Sequence, residues 1–296
     1  MISLIIISLY LVIFSIIFIF TFKNYNKEEK ISKDIEIKKN REIKLSSESK
    51  YNKMLNQYEK NADITIPIGY NEEDSVKTIN LCKSPNLLII GTTGGGKSIL
   101  LNNIIASLSI NYSKDDIKII TMDTSIVELS KFNSLPHYVK NTLSYPNDIL
   151  DELDELEKEI NRRKTQKEKQ PLLVVIDDLY DICSYKNSIS SQIIQLLEDA
   201  KNQNIFFILT TDTPSKKVLN KKLLDLVDST IYLTLSPGEQ DDFSFSEQLN
   251  EEDLDFITKI GNLLYIHGDE KERLEVPEIT DKEIKEITKF YEINKN

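Results

Sequence analysis

The sequence predicts an α/β protein: a mostly parallel sheet with helices on both faces, built around a phosphate-binding loop. Two observations carry that expectation. Short apolar runs of strand length alternate with amphipathic stretches of helix length, the pattern of βαβ units. One of those runs, Leu87 to Ile90, leads directly into the glycine-rich stretch GTTGGGKS and then into a helical segment, Ile99 to Leu108.

That stretch fits G-x-x-x-x-G-K-[ST] at Gly91, Gly96, Lys97 and Ser98. Glycines let the chain curl until successive N–H groups face an anion, and the following helix adds the positive end of its dipole. Gly91, Thr92, Thr93, Gly94, Gly95, Gly96, Lys97 and Ser98 are therefore the expected ATP-binding residues. Lys97 would reach the β- and γ-phosphates, and the Ser98 hydroxyl would hold Mg²⁺.

Composition sets bounds on function. The chain has 296 residues and 40% hydrophobic content, enough for a sizeable core. Lys and Arg number 37 against 48 Asp and Glu, a net charge of −11, so the molecule is not a polycation that coats nucleic acid. Any nucleic-acid contact must come from a local basic face. Cys82, Cys183, His137 and His267 have no metal-ligand spacing, and two isolated thiols suit a reducing compartment.

In chain order, Ile2 to Phe22 is an unbroken uncharged run, long enough as a helix at ~1.5 Å per residue to span a hydrocarbon core. Residues 1–23 are read as a single-pass membrane anchor. Lys23, Lys27 and Lys30 follow it closely, which puts the bulk of the chain in the cytoplasm. Residues 24–61 are rich in Lys, Glu, Asn and Ser with scattered apolar positions, and read as a charged, partly helical stalk. Residues 62–278 form the expected ATPase domain, opening with a hairpin over Ile64 to Leu81, and 279–296 a C-terminal helix or tail.

Within the domain, strands are expected at Ile117 to Met122, Leu172 to Ile176, Ile205 to Thr210, Ile231 to Leu235 and Leu263 to Ile266. Helices are expected at Pro146 to Lys167 and Ile189 to Lys201. The run LLVVIDD ends in Asp177 and Asp178 at the sheet edge where α/β proteins bind ligands. Asp177 is placed to accept from a Mg²⁺-bound water, and Asp178 to polarise the attacking water. Thr210, Thr211 and Asp212 close a strand expected beside the loop strand. Asp212 is a candidate γ-phosphate sensor, against the plainer reading of a turn before Pro214. Basic residues gather at Arg162, Arg163, Lys164, Lys167 and Lys169, and again at Lys216, Lys217, Lys221 and Lys222. The second group is the candidate DNA contact, through phosphates and not bases. Arg162 or Arg163 is a candidate arginine finger. Solvated surface charge is the simpler account of either cluster.

Taken in order, these segments resemble the FtsK/SpoIIIE family of membrane-anchored DNA-pumping ATPases. IPIG from Ile66, then SPNLLIIGTTGGGKS, is similar to the family's lead-in strand and phosphate loop. Met122 to Tyr138 resembles its strand-Asp, LEL and PH signature through Asp123, Glu128, Leu129, Ser130, Pro136 and His137. Glu159 to Arg163 is similar to a helix ending in paired arginines, Ile208 to Ser215 to the segment ATQRPS, and Gly261 to Tyr265 to G-GDMLY. The resemblance implies a RecA-like motor domain, a homo-hexameric ring around double-stranded DNA, and ATP-driven movement without sequence preference. Four positions depart from the pattern: Asp178 stands for Glu, Asp212 for Gln, Thr213 for Arg, and Thr230 for an arginine. The length suits a small mobile-element member, such as a conjugative-transfer coupling protein. Two alternatives stay open: a P-loop pump for phage DNA or a secreted protein, and an ATP-binding, poorly hydrolysing membrane assembly or recruitment factor.

Overall fold

The computed structural model describes residues 43, 45–60, 62–125, 127–213, 215, 217–235 and 249–293. The expected anchor, most of the stalk, Pro214 and Lys216 lie outside those residues. Among the described residues, no helix is long and apolar enough to cross a membrane.

The compact unit that holds the phosphate loop begins at Leu45, earlier than the boundary at 62 read from the sequence. The difference comes from helix α1, Lys50–Gln57, which Ser49 caps by accepting from the Asn52 N–H. Its apolar residues are few: Tyr51 and Met54 are fully buried, Leu55 is half-buried, and Tyr58, just past its end, is nearly buried. The Tyr51 hydroxyl reaches the Asn103 carbonyl at 3.1 Å and Ser107 Oγ at 3.0 Å, so an aromatic body and a satisfied polar tip dock together.

The expected N-terminal hairpin is present as β1, Thr65–Tyr70, and β2, Val76–Asn80. There follow β3 (Asn86–Ile90), α2 (Lys97–Asn111), β4 (Lys118–Asp123), α3 (Pro146–Arg163), β5 (Leu172–Asp177), α4 (Leu179–Ser184), α5 (Ile189–Asp199) and β6 (Ile205–Thr211). The chain continues through α6 (Lys221–Leu224), β7 (Ser229–Tyr232), α7 (Glu251–Ile257), β8 (Asn262–His267), β9 (Glu270–Glu275) and α8 (Asp281–Ile293).

All these strands lie in one sheet of order β2-β1-β9-β8-β7-β3-β6-β5-β4. The sheet is mixed, which corrects the expectation of a mostly parallel one. The five strands β7-β3-β6-β5-β4 are parallel; β8, β9, β1 and β2 extend the sheet with antiparallel pairs. β9 is why the sequence misled: EKERLE carries no apolar alternation, yet every one of its residues pairs with β8. Lys77 of β2 also bridges to Glu270 and Glu272 of β9.

In the parallel half, β3, β5 and β6 are buried along their whole length, as expected for strands covered on both faces. Leu88, Val174, Ile176, Phe207 and Leu209 pack with Leu153, Leu156 and Ile160 of α3 and Ile193 and Leu197 of α5. Leu87, Ile89, Leu173, Val175 and Ile208 alternate with them, point to the opposite face and are equally buried. α2 is buried without interruption from Leu100 to Ser109 and packs against β1 and α8. The parallel strands bring Ile90, Asp177 and Thr211 to one edge of the sheet.

Candidate nucleotide site

At that edge the chain leaves β3 and turns back on itself. The Gly91 N–H donates to the Thr211 carbonyl at 3.2 Å, Thr92 N–H to Thr234 at 2.8 Å, and Gly95 N–H to Thr92 at 2.9 Å. A side chain is excluded where the loop is tightest: a Cβ on Gly95 would lie 2.9 Å from the Thr234 carbonyl oxygen and 3.0 Å from that of Thr92. Gly96 caps α2 at φ 105°, a conformation open to glycine and strained for other residues. Lys97 Nζ donates to the carbonyls of Gly91 at 2.7 Å and Thr92 at 3.1 Å, and so lies over the loop. Ser98 follows in the first turn of α2. Beside the loop opens a cleft of about 230 Å³ that includes Gly96, Ile99, Leu233, Ile260 and Val276.

The acidic residues come from the two neighbouring strands. Asp177 ends β5, and its Oδ1 accepts from the Thr210 hydroxyl at 2.5 Å. Burial pushes the Asp177 carboxyl above its ordinary range; the Thr210 bond and the nearby Lys97 charge oppose that. Asp178 sits in the left-handed region at φ 60°, and its Oδ1 accepts from the Asp181 N–H at 3.4 Å, so it also caps α4. Burial first, then the charges of Asp212, Asp181 and Asp177, raise it to about 6. Asp212 accepts from Thr93 Oγ1 of the loop at 2.6 Å and from Thr213 Oγ1 at 3.0 Å. Burial works to raise Asp212, but the two hydroxyls and Lys97 outweigh it and hold the carboxyl below its usual value. The expected nucleotide residues, Asp177, Asp178 and the candidate sensor thus share one site.

Other expected site residues lie apart. Arg163 is buried: Nε donates to Glu159 at 2.7 Å, and Nη1 to the carbonyls of Gln170, Gln203 and Asn204. Those carbonyls precede β5 and β6, at the sheet edge opposite the loop. Arg162 is exposed and forks onto Glu159, at 2.7 Å from both Nε and Nη2. Lys217, Lys221 and Lys222 are exposed, with Lys222 3.8 Å from Glu198. Asp123 is fully buried and holds the turn after β4, accepting from Ser125 N–H at 2.8 Å and Leu129 N–H at 3.0 Å.

Sequence reasoning missed the wall that β7 provides. Leu233 and Thr234 close over Gly91 and Gly95, and buried Thr234 Oγ1 has no hydrogen-bond partner among the described residues. Nothing in the run TLS signals this. It follows from the pairing of β7 with β3.

The FtsK/SpoIIIE family profile matches residues 52–261, most of the folded unit. The chain belongs to the FtsK/SpoIIIE family. Similar proteins include the DNA translocase FtsK of Streptococcus agalactiae serotype V, 28% identical over an alignment of 257 positions that covers 77% of this chain and 31% of that protein. Another is the DNA translocase FtsK of Lactococcus lactis subsp. cremoris, 27% identical over 203 residues, with 59% and 27% covered. The chain therefore spans about a third of the length of the curated relatives it matches. Among solved structures, the pCW3 conjugation coupling protein TcpA, in a monomer form with ATPγS, is similar at TM-score 0.63 and 17% identity, over 79% of this chain and 72% of that one. ATPases 2 and 3 of EssC from Geobacillus thermodenitrificans are similar at TM-score 0.63 and 17% identity, over 79% and 51%. These likenesses establish the fold, that of P-loop ATPases.

Proposed function

We propose that the chain is an ATP-driven, sequence-nonspecific DNA translocase of FtsK/SpoIIIE type, tethered to the cell membrane by residues 1–23 and working in conjugative or mobile-element DNA transfer. The observation that carries this reading is the meeting of Lys97, Asp177, Asp178 and Asp212 around a glycine-closed loop in a member of that family. The site fits Mg²⁺ and ATP: the loop closes so tightly at Gly95 that no side chain would fit, Lys97 lies over it, Ser98 opens the helix behind it, and the Lys97 charge reaches the Asp177 carboxyl. Bound ATP would supply the driving energy by loss of its γ-phosphoryl group.

Lys97 would offset phosphate charge, Ser98 and Asp177 would hold Mg²⁺, which supplies further charge neutralisation, and the Asp178 carboxylate would accept the proton of the attacking water. Asp212, bonded to Thr93, links the loop to the chain that leads into Lys217, Lys221 and Lys222. Those lysines, with Lys216, contact the DNA backbone. The cleft next to Gly96, lined by Ile99, Leu233, Ile260 and Val276 together with Lys50, Glu275 and Glu278, is the candidate seat of the nucleobase. A homo-hexamer encircling the duplex is the assembly expected for this family. The fold likeness to a conjugation coupling protein supports the setting.

The test is ATP hydrolysis by the full chain with and without double-stranded DNA, beside Lys97→Ala. Turnover stimulated by DNA and lost in the variant is the expected result, and binding should weaken steeply with salt. Turnover indifferent to DNA would point to a pump for another polymer. A second reading, an ATP-binding assembly factor that hydrolyses poorly, is favoured by one observation: Asp178 is shorter than the usual Glu and caps α4. Tight ATP binding without turnover would establish it.

A further inference from the structure

Thr210 is fully buried near the end of β6, beside the last residues of β5. Its hydroxyl donates to Asp177 Oδ1 at 2.5 Å and accepts from the Asp178 backbone N–H at 3.0 Å. A hydroxyl has one hydrogen and two lone pairs, so both bonds form together and each has a fixed direction. The result is a relay from the Asp178 amide through Thr210 to the Asp177 carboxylate. Asp178 occupies φ 60°, ψ 69°, a conformation that costs a non-glycine residue free energy and persists only where neighbours enforce it. The Thr210 bond is one such enforcement. Thr210 also stands where the ATQRPS segment has Ala, and Asp178 stands where the family pattern has Glu.

We propose that Thr210 is a positioning residue: its hydroxyl orients Asp177 for Mg²⁺ and holds the Asp178 backbone, in place of the reach that a longer glutamate would give. This rests on the ATPase reading above. Valine keeps the β-branched shape suited to a strand and deletes only the hydroxyl.

The experiment compares full-chain Thr210→Val, Thr210→Ala and Thr210→Ser with wild type. It measures kcat and KM for ATP hydrolysis, and the affinity for a fluorescent ATP analogue in Mg²⁺ and in EDTA. Losing one hydrogen bond to a charged group is expected to lower kcat/KM about 10- to 100-fold in the Val and Ala variants, through a lower kcat and a raised KM for Mg²⁺–ATP. Thr210→Ser should recover most of the loss. The Ser and Ala variants are both smaller than threonine and differ only in the hydroxyl, so their comparison stands even if the Val variant fails to fold. In the binding assay, Val and Ala should keep the EDTA affinity and lose the gain that Mg²⁺ brings. Adding Asp178→Glu to Thr210→Ala should recover more turnover than the two single changes predict by addition.

If wild type hydrolyses ATP and all Thr210 variants match it in kcat and in Mg²⁺ gain, the positioning role is wrong while the ATPase reading stands. If wild type binds nucleotide without turnover, the motor reading falls, and the Mg²⁺-dependent binding of the Ser and Ala variants alone decides for or against Thr210.

Discussion

Replacing Arg163 with alanine is expected to destabilise the fold by about 3–5 kcal/mol. The guanidinium is 6% exposed, and its Nη1 lies 2.7, 3.0 and 3.2 Å from the carbonyl oxygens of Gln170, Gln203 and Asn204. One Nη1 carries two hydrogens, so three acceptors share two donors, and two charge-assisted bonds at ~1.5–3 kcal/mol each set the scale. The Nε bond to Glu159, a partly exposed carboxylate, adds less than ~1 kcal/mol. Arg162 gives the contrast, since its fork onto Glu159 is exposed and its removal should leave the unfolding midpoint unmoved. Lysine at 163 should recover under half of the loss, because a single ammonium cannot reproduce the planar spread of donors. Urea unfolding followed by circular dichroism measures all three variants. A loss below ~1 kcal/mol for Arg163→Ala would refute the reasoning about buried carbonyls. The same variants sort the arginine-finger expectation: a trans-acting finger at Arg162 would lower turnover in the assembled protein without moving the unfolding midpoint.

Two further outcomes follow from the site and its supports. Asp178 is raised from 3.8 to about 6 by burial and its acidic neighbours, so the folded state binds its proton more tightly than the unfolded state does. The destabilisation is therefore absent below 3.8, grows as pH rises towards 6, and is complete above it. Asp178→Asn, which keeps a capping side chain and tolerates positive φ, should raise the melting temperature in chelator more at about pH 8 than at about pH 4, while turnover falls ~10²-fold or more. Equal melting shifts at both pH values would refute the burial argument. Tyr51→Phe removes the hydroxyl that meets Asn103 and Ser107, and should lower stability by about 1–2 kcal/mol in the same urea assay. No change would mean that α1 is merely apposed to α2.

The parts of the site legible in the sequence are those whose chemistry is contiguous. The loop from Gly91 to Ser98 carries its own signature, and Asp177 is marked by the apolar run before it. Asp212 was legible as a polar residue ending a strand expected beside the loop strand, and β6 does pair with β3; only its bond to Thr93 was not written in any local pattern. Thr234 and Leu233 were illegible because sheet order lays them over Gly91 and Gly95. Of the antiparallel strands β9 escaped, because it draws its conformation from its partner strand and periodicity cannot register a strand with one buried residue. The paired arginines looked alike in sequence, and only the carbonyls ahead of β5 and β6 separate them.

The polar residues of α2 explain how the helix behind the loop is held. A helix buried on all sides has little reason to carry Asn103, Ser107 and Ser109 inside the core, where unpaired polar groups are destabilising. Asn103 and Ser107 hold other segments, while the Ser109 hydroxyl donates to the Ala106 carbonyl of its own helix at 2.8 Å. Asn103 Nδ2 donates to the Pro277 carbonyl at 2.6 Å, and its Oδ1 accepts from the Ile279 N–H at 3.1 Å. The backbone carbonyl of Asn103 and the hydroxyl of Ser107 take the Tyr51 hydroxyl. The carbonyl of Ser109 takes the hydroxyl of Tyr291, in α8. The helix that begins at Lys97 is thus tied to the segment before the hairpin and to the segment after the sheet. Neither tie crosses the edge where Lys97, Asp177, Asp178 and Asp212 meet. With α2 fixed along its shaft, a γ-phosphate sensed as proposed would act on the loop itself and on the strand ends joined to it through Thr93 and Asp212.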